Sequence, residues 1–176
     1  MKWEVLESSY SLVTPWLKIR KDSVKMTSGI IIPDFYVEEL PDWVNVIAVT
    51  KEGEFLIEEQ YRHGIGNVCY ELCAGIVEEG EIPLESAKRE LLEETGYISR
   101  EWMAFGRYAP NASGSNNYCY TFVARDIEKV TEQKLDKTEE IKLHIFKKEQ
   151  IQKMMLNGSI TEAVMLAPLW RYFANK

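Results

Sequence analysis

Five glutamates crowd residues 81–94: Glu81, Glu85, Glu90, Glu93 and Glu94. If this stretch is helical, Glu90, Glu93 and Glu94 fall at i, i+3 and i+4, so three carboxylates share one face within reach of each other. Uncompensated, each such like-charge pair weakens a helix by a few tenths of a kcal/mol, roughly. A hard divalent cation reverses the sign, because magnesium and calcium take oxygen ligands. Glu85 precedes Glu90 by five positions, which on a 3.6-residue helix is about 140° around the axis, so it faces away. Arg89 can fix one carboxylate by a bidentate contact. Gly75, one loop earlier, lets the backbone approach a metal or phosphate and present a carbonyl. The chemistry within reach of this set is the holding of divalent cations against a phosphorylated ligand. Any hydroxide it uses must come from water acidified by those cations.

These residues need a rigid frame. The spacing predicts a helix over Pro83–Thr95, with proline in the first turn, where its missing N–H costs nothing, and Gly96 as the stop. Leu84, Ala87 and Leu91 form the apolar stripe that anchors it. Val44–Thr50 reads as a strand covered on both faces. Lys51-Glu52-Gly53 is a turn and Phe55–Tyr61 the returning strand. Val68–Leu72, Trp102–Tyr108, Tyr118–Ala124 and Ile141–Phe146 read as further strands, and Lys148–Leu156 and Thr161–Tyr172 as helices. Strands early and helices interleaved later predict an α/β fold, a mixed sheet with helices on both faces. Residues 1–42 read as a small β extension of short strands, with breaks at Thr14-Pro15 and Ser28-Gly29. Its apolar patches are Val5-Leu6, then Trp16, Leu17 and Ile19, then Ile30–Ile32 and Tyr36-Val37. Residues 43–176 would form the main domain.

The bulk numbers narrow the function. The chain has 176 residues, 45% hydrophobic and 28% charged, enough for one real core. A formal net charge of −7 argues against binding nucleic-acid backbones, which requires clustered Lys and Arg. Cys69, Cys73 and Cys119 are an odd set with no C-x-x-C pair, which argues against a disulfide framework or a zinc site. His63 and His144 are too few for a histidine-based metal centre. No signal-peptide core opens the chain and no run approaches a membrane span. The expectation is a protein of the reducing cytoplasm with no membrane and no nucleic-acid partner.

Gly75, Glu81 and the run Arg89-Glu90-Leu91-Leu92-Glu93-Glu94-Thr95-Gly96-Tyr97 fill every fixed position of the Nudix box, G-x5-E-x7-R-E-U-x-E-E-x-G-U, where U is apolar or aromatic. Seven such identities coincide by chance about once in 10^8 starting points. The chain thus resembles the Nudix hydrolases. Glu59-Gln60-Tyr61-Arg62, Glu71-Leu72-Cys73-Ala74-Gly75 and Pro110 are similar to the ADP-ribose and ADP-sugar pyrophosphatase branch, over residues 43–170 and more loosely 1–42. Cys73 stands where that branch usually has proline, and Asn111-Ala112-Ser113-Gly114-Ser115 replaces its Gly-rich acidic run.

The resemblance implies a Nudix-type α/β/α sandwich and magnesium-dependent hydrolysis of a nucleoside diphosphate derivative, with manganese the alternative ion. Glu90, Glu93 and Glu94 would be metal ligands, Arg89 would orient a carboxylate, Glu81 would assist from the loop, and Gly75 or the Ala74 carbonyl would complete the shell. Glu139 or Glu140, in a late loop, would position or deprotonate the water; a solvated charge run explains either equally well. Arg62 would contact the phosphates, with a surface charge the even alternative. Pro110 would border the substrate. Any of Trp3, Trp16, Tyr36 and Trp43 could stack on a base, although most strand aromatics are core. Cys73 reads better as a small buried hydrophobe than as a nucleophile. The branch implies a homodimer built partly through residues 1–40, which are rich in Trp and Tyr but too few to bury a core. The rival readings are a Nudix hydrolase for GDP-mannose, NADH, a dinucleoside polyphosphate or capped RNA, a sensing domain that does not cleave, and a structural calcium protein. The intact box argues against the second, and the lack of an EF-hand loop against the third.

Overall fold

The computed structural model describes residues 1–15 and 17–174. Trp16 lies outside them, so the patch and the stacking role assigned to it are left aside. The chain divides into two compact units, residues 1–41 with 109–118, and residues 42–108 with the remainder from 119.

The smaller unit is a three-stranded antiparallel meander, β1 (Glu4–Val13), β2 (Lys18–Lys25) and β3 (Ile31–Glu39), in the order β1-β2-β3. The short patches expected there are pieces of long strands. Thr14 ends β1, its N–H donating to the Leu17 carbonyl at 2.9 Å. Gly29, at φ +87°, turns the chain from β2 into β3. All ten residues of β1 are exposed, which explains why no alternation marked it as a strand. The segment carrying Pro110 joins this unit: the Glu38 N–H donates to the Gly114 carbonyl at 2.8 Å, and the Leu40 N–H to Asn116 Oδ1 at 3.1 Å.

The larger unit contains β4 (Trp43–Ala48), β5 (Phe55–Arg62), β6 (Asn67–Glu71), β7 (Cys73–Ile76), α1 (Pro83–Thr95), β8 (Tyr97–Ile98), β9 (Glu101–Tyr108), β10 (Cys119–Arg125), β11 (Glu128–Lys129), β12 (Ile141–Phe146), α2 (Lys148–Asn157) and α3 (Ala163–Ala174). Four strands form a mixed sheet in the order β7-β4-β10-β9, in which β4 and β10 are parallel and the outer pairs antiparallel. Three more form an antiparallel sheet, β12-β5-β6. The Lys51–Gly53 turn forms as expected, closed by the Thr50 N–H donating to the Glu54 carbonyl at 2.8 Å. Beyond it β4 and β5 separate into different sheets.

Period-2 alternation divides the core. Val44, Val46 and Ala48 of β4 face Ala87 and Leu91 of α1, together with Leu56 and Phe122. Ile47 and Val49 face the other way, onto Ile151 and Met155 of α2 and Met165 and Leu169 of α3. Helices on both sides of strands that are apolar on both faces give the expected α/β/α sandwich. The predicted stripe anchors α1: Ala87 and Leu91 are fully buried and Leu84 packs beside them. Gly96 caps α1 in the left-handed conformation, at φ +75°, its N–H donating to the Leu92 carbonyl at 2.9 Å. An added Cβ there would lie 2.1 Å from the Thr131 carbonyl oxygen, so only glycine fits. α3 starts two positions later than its expected Thr161, because the Glu162 carbonyl accepts its first N–H groups, those of Met165 and Leu166.

Candidate functional site

The box becomes a site through three elements. β7 pairs with β4, setting Gly75 opposite Val44 and Ala74 opposite Asn45. The loop from β7 carries Glu81, and α1 then returns across β7. Gly75 is needed because a Cβ there would lie 2.0 Å from the Glu90 carboxylate, so the acid rests directly on the strand backbone. Glu94, one helical turn further on, is buried and accepts the Ala74 N–H at 3.2 Å. Glu93 is half exposed on the same side.

Arg89 organises the outer half. Its Nε and Nη2 donate to the two Glu81 oxygens at 3.1 and 2.9 Å, its Nη2 also to the Ile76 carbonyl at 3.1 Å, and its Nη1 to Glu90 Oε1 at 2.8 Å. Its Nη1 approaches Glu93 at 3.5 Å. Hydrogen bonds from Arg89 and Ser86 hold Glu81 down, at about 2, so it stays ionised. One guanidinium thus ties the loop acid to the helix acids. Glu85 points elsewhere, exposed and paired with Lys88 at 2.8 Å.

The inner half is electrostatically starved. Burial pushes Glu94 up to about 8, with the Glu90 charge adding to it, and burial also raises Glu90 against the pull of Arg89. The fold therefore favours protonated Glu94. That stabilising contribution is present in acid and is lost as pH rises from the ordinary carboxylate range through about 8. In excess chelator, Glu94→Gln is expected to melt higher than the unsubstituted chain at pH 8.5, with the difference fading at pH 4. A lower melting temperature at pH 8.5 would contradict this account of the burial.

The late loop divides its two candidates. Glu139 is half buried, accepts the Asp136 N–H at 2.8 Å, and adds its charge to those acting on Glu90 and Glu94. Glu140 is exposed. Gln133 pins this loop to α1, its Nε2 donating to the Glu94 carbonyl at 2.7 Å.

Behind β7 lies a cavity of about 610 Å³, lined by Trp43, Arg62, His63, Ala74, Gly75 and Glu162 among others. Its size suits a nucleoside-sized ligand. Arg62 is half exposed on its wall, its Nε donating to both Glu71 oxygens at 2.9 and 3.0 Å. Of the aromatic candidates, Trp43 lines this cavity; Trp3 packs edge-on against Phe35 and Tyr36 is exposed, both in the smaller unit. All three cysteines are free and buried, as a small-hydrophobe reading of Cys73 requires.

Sequence reasoning missed three acids. Glu58 and Glu71 are buried and lie directly opposite each other across the β5–β6 ladder, and Glu162 is half buried at the cavity. Alternation held the signal for Glu58. It follows Leu56 on the face of β5 that looks toward α1, so it points inward at Glu94.

A sandwich whose loop–helix–glycine segment gathers carboxylates beside a nucleoside-sized cavity defines a hydrolase of phosphorus anhydrides. The NUDIX domain model matches residues 40–165, and the chain belongs to the Nudix hydrolases. It is 28% identical to the ADP-ribose pyrophosphatase of Bacillus subtilis (strain 168) over 152 residues, 77% of this chain and 82% of that protein. It is 30% identical to "Putative nudix hydrolase 2" of Caenorhabditis elegans over 145 residues, 77% and 65% of the two chains. A relative of a different description, the methanol dehydrogenase activator of Bacillus methanolicus, is 32% identical over 113 residues, 64% of this chain and 60% of that one. Among solved structures, one titled "Crystal structure of ADP compounds hydrolase" superposes with a TM-score of 0.85 at 16% identity, over 99% of this chain and 95% of that one, which shows the fold. No helix of the described residues is long and apolar enough to cross a membrane.

Proposed function

We propose that this chain hydrolyses the diphosphate linkage of an ADP-sugar, ADP-ribose first, to a nucleoside monophosphate and a sugar phosphate, using magnesium. The observation that carries the reading is the seating of Glu90 and Glu94 on β7, with the cavity lined by that same strand. The donor set fits a divalent ion: Glu90, Glu93, Glu94 and the Ala74 carbonyl are all oxygen, and Glu90 and Glu94 are held at a cost that a cation would relieve. When bound, such ions neutralise diphosphate charge and acidify water, which carboxylates alone cannot do. Arg89 and Glu81 hold Glu90 in its rotamer, and Gly75 leaves room for its carboxylate to rest on the strand. Glu139 positions the attacking water and takes its proton. Arg62, oriented by Glu71, meets the phosphates from the cavity side, and Trp43 offers the base a stacking face.

The similarity to a pyrophosphatase named for ADP-ribose, over most of both chains, supports the substrate class. A panel of ADP-ribose, other ADP-sugars, GDP-mannose, NADH and diadenosine polyphosphates with magnesium should give the highest kcat/KM for an ADP-sugar. A tenfold or larger preference for another compound would overturn the substrate assignment while leaving the chemistry in place.

The active form is proposed to be a homodimer built through the 1–42 extension, with residues 43–176 as the catalytic domain. β1 is an edge strand exposing Val5, Leu6, Tyr10, Leu12 and Val13, a surface that soluble proteins normally cover. Light scattering at micromolar concentration should read twice the 20.4 kDa chain mass; the chain mass itself would rule the dimer out.

A further inference from the structure

Glu58 is fully buried on β5, and neither of its carboxylate oxygens receives a hydrogen bond. Opposite it across the ladder sits a second buried acid, Glu71. Like charges directly opposed destabilise a sheet. Arg62 compensates Glu71 with its bidentate contact, whereas no ion pair among the described residues serves Glu58. Beside Glu58 lie the buried thiol of Cys73, from β7, and the carboxylate of Glu94, from α1. One ligand atom from each of the three lies within 4.8 Å of the other two. Burial, with Glu94 and Glu71 nearby, raises Glu58 well above the usual carboxylate range, and a buried polar group with no hydrogen-bond partner is costly for a core to hold. Three elements nevertheless converge to place one against a thiol and a second acid.

We propose that Glu58, Cys73 and Glu94 form a further cation site, which takes a thiophilic divalent transition ion, zinc foremost. The ligand set decides the ion. Magnesium is a hard ion held through oxygen and water, while zinc accepts carboxylate and thiolate together. Two carboxylates and one thiolate carry three negative charges, and a dication offsets two of them, which lowers the cost of charge in the closed surroundings. Binding displaces the Cys73 thiol proton to solvent, together with the protons that burial keeps on Glu58 and Glu94, since every ligand must be deprotonated to coordinate. In the metal-free protein, burial and the neighbouring Glu58 and Glu94 hold the thiol proton on. Cysteine spacing argued against zinc, and that argument applies to centres built of cysteine and histidine. Here the partners are carboxylates distant in sequence, brought together by the β5–β6 register and by the return of α1 over β7. The site shares Glu94 with the proposed catalytic set and rests on that reading only there. Glu58 and Cys73 have no part in it.

The test is a cobalt titration of the full chain after chelator treatment, read by absorbance. Wild type should develop a sulfur-to-cobalt charge-transfer band that saturates at one equivalent, is abolished by one equivalent of zinc, and survives millimolar magnesium. Cys73→Ser should lose the band. Glu58→Gln should weaken cobalt binding at least about tenfold. Cys69→Ser, Cys119→Ser and Glu90→Gln should keep it. Melting curves in chelator establish that each variant is folded, and Glu58→Gln carries the test if Cys73→Ser does not fold. Absence of the band in wild type, its persistence in Cys73→Ser, or unchanged affinity in Glu58→Gln would overturn the site. Full turnover by Glu90→Gln, with the cobalt results as expected, would instead overturn the proposed catalytic reading and leave this one standing.

Discussion

Glu90→Gln and Glu94→Gln should each lose at least about 100-fold in turnover with the fold intact, while Glu85→Gln stays near wild type. The substitution keeps size and shape and removes one anionic oxygen ligand. Loss of a group that only orients a ligand costs roughly 10–100-fold, and loss of a ligand itself costs more. Glu85 shares the helix but is exposed and tied to Lys88, away from β7. It therefore controls for the general effect of removing a charge from α1. Steady-state kinetics on the three variants decide the matter. If Glu85→Gln were as inactive as Glu94→Gln, the active face of α1 would be misassigned. If all three stayed active, the box would not be the catalytic site.

Gly75→Ala should reduce turnover at least about tenfold without touching a charge. The added methyl would lie 2.0 Å from the Glu90 carboxylate, so that side chain must leave its seat on β7. The strand is fixed by β4 pairing, and Arg89 holds Glu90 from the other side, so little room exists to share the strain. The effect should also be non-additive: in the Glu90→Gln background Gly75→Ala should add less than it does alone, because both act on one placement. Full additivity would show that Gly75 serves something other than Glu90.

How far these residues could be read without coordinates follows from local physics. Helix α1 was legible to the residue, because Pro83 and Gly96 bracket it and Leu84, Ala87 and Leu91 set its phase. Its orientation and the outward turn of Glu85 followed from that phase. Strand β7 was not legible. Cys73-Ala74-Gly75-Ile76 has little intrinsic β preference and is a strand because β4 pairs with it. The paired acids of β5 and β6 depended on register. A charge inside Phe55–Arg62 invites a solvent-side reading, and only the position of Leu56 in the core under α1 shows that Glu58 points inward. That Arg62 stands in the cavity wall depended on Glu71, which holds it there from the neighbouring strand. The smaller unit was legible as β but not as three long strands, since β1 is exposed along its whole length and gives no alternation.

Product analysis of ADP-ribose incubated with the purified chain, in magnesium and in excess chelator, tests the proposed hydrolysis most directly. AMP and ribose 5-phosphate are expected in magnesium and neither product in chelator. Undiminished AMP release in chelator, or no cleavage of any nucleoside diphosphate compound in magnesium, would contradict it.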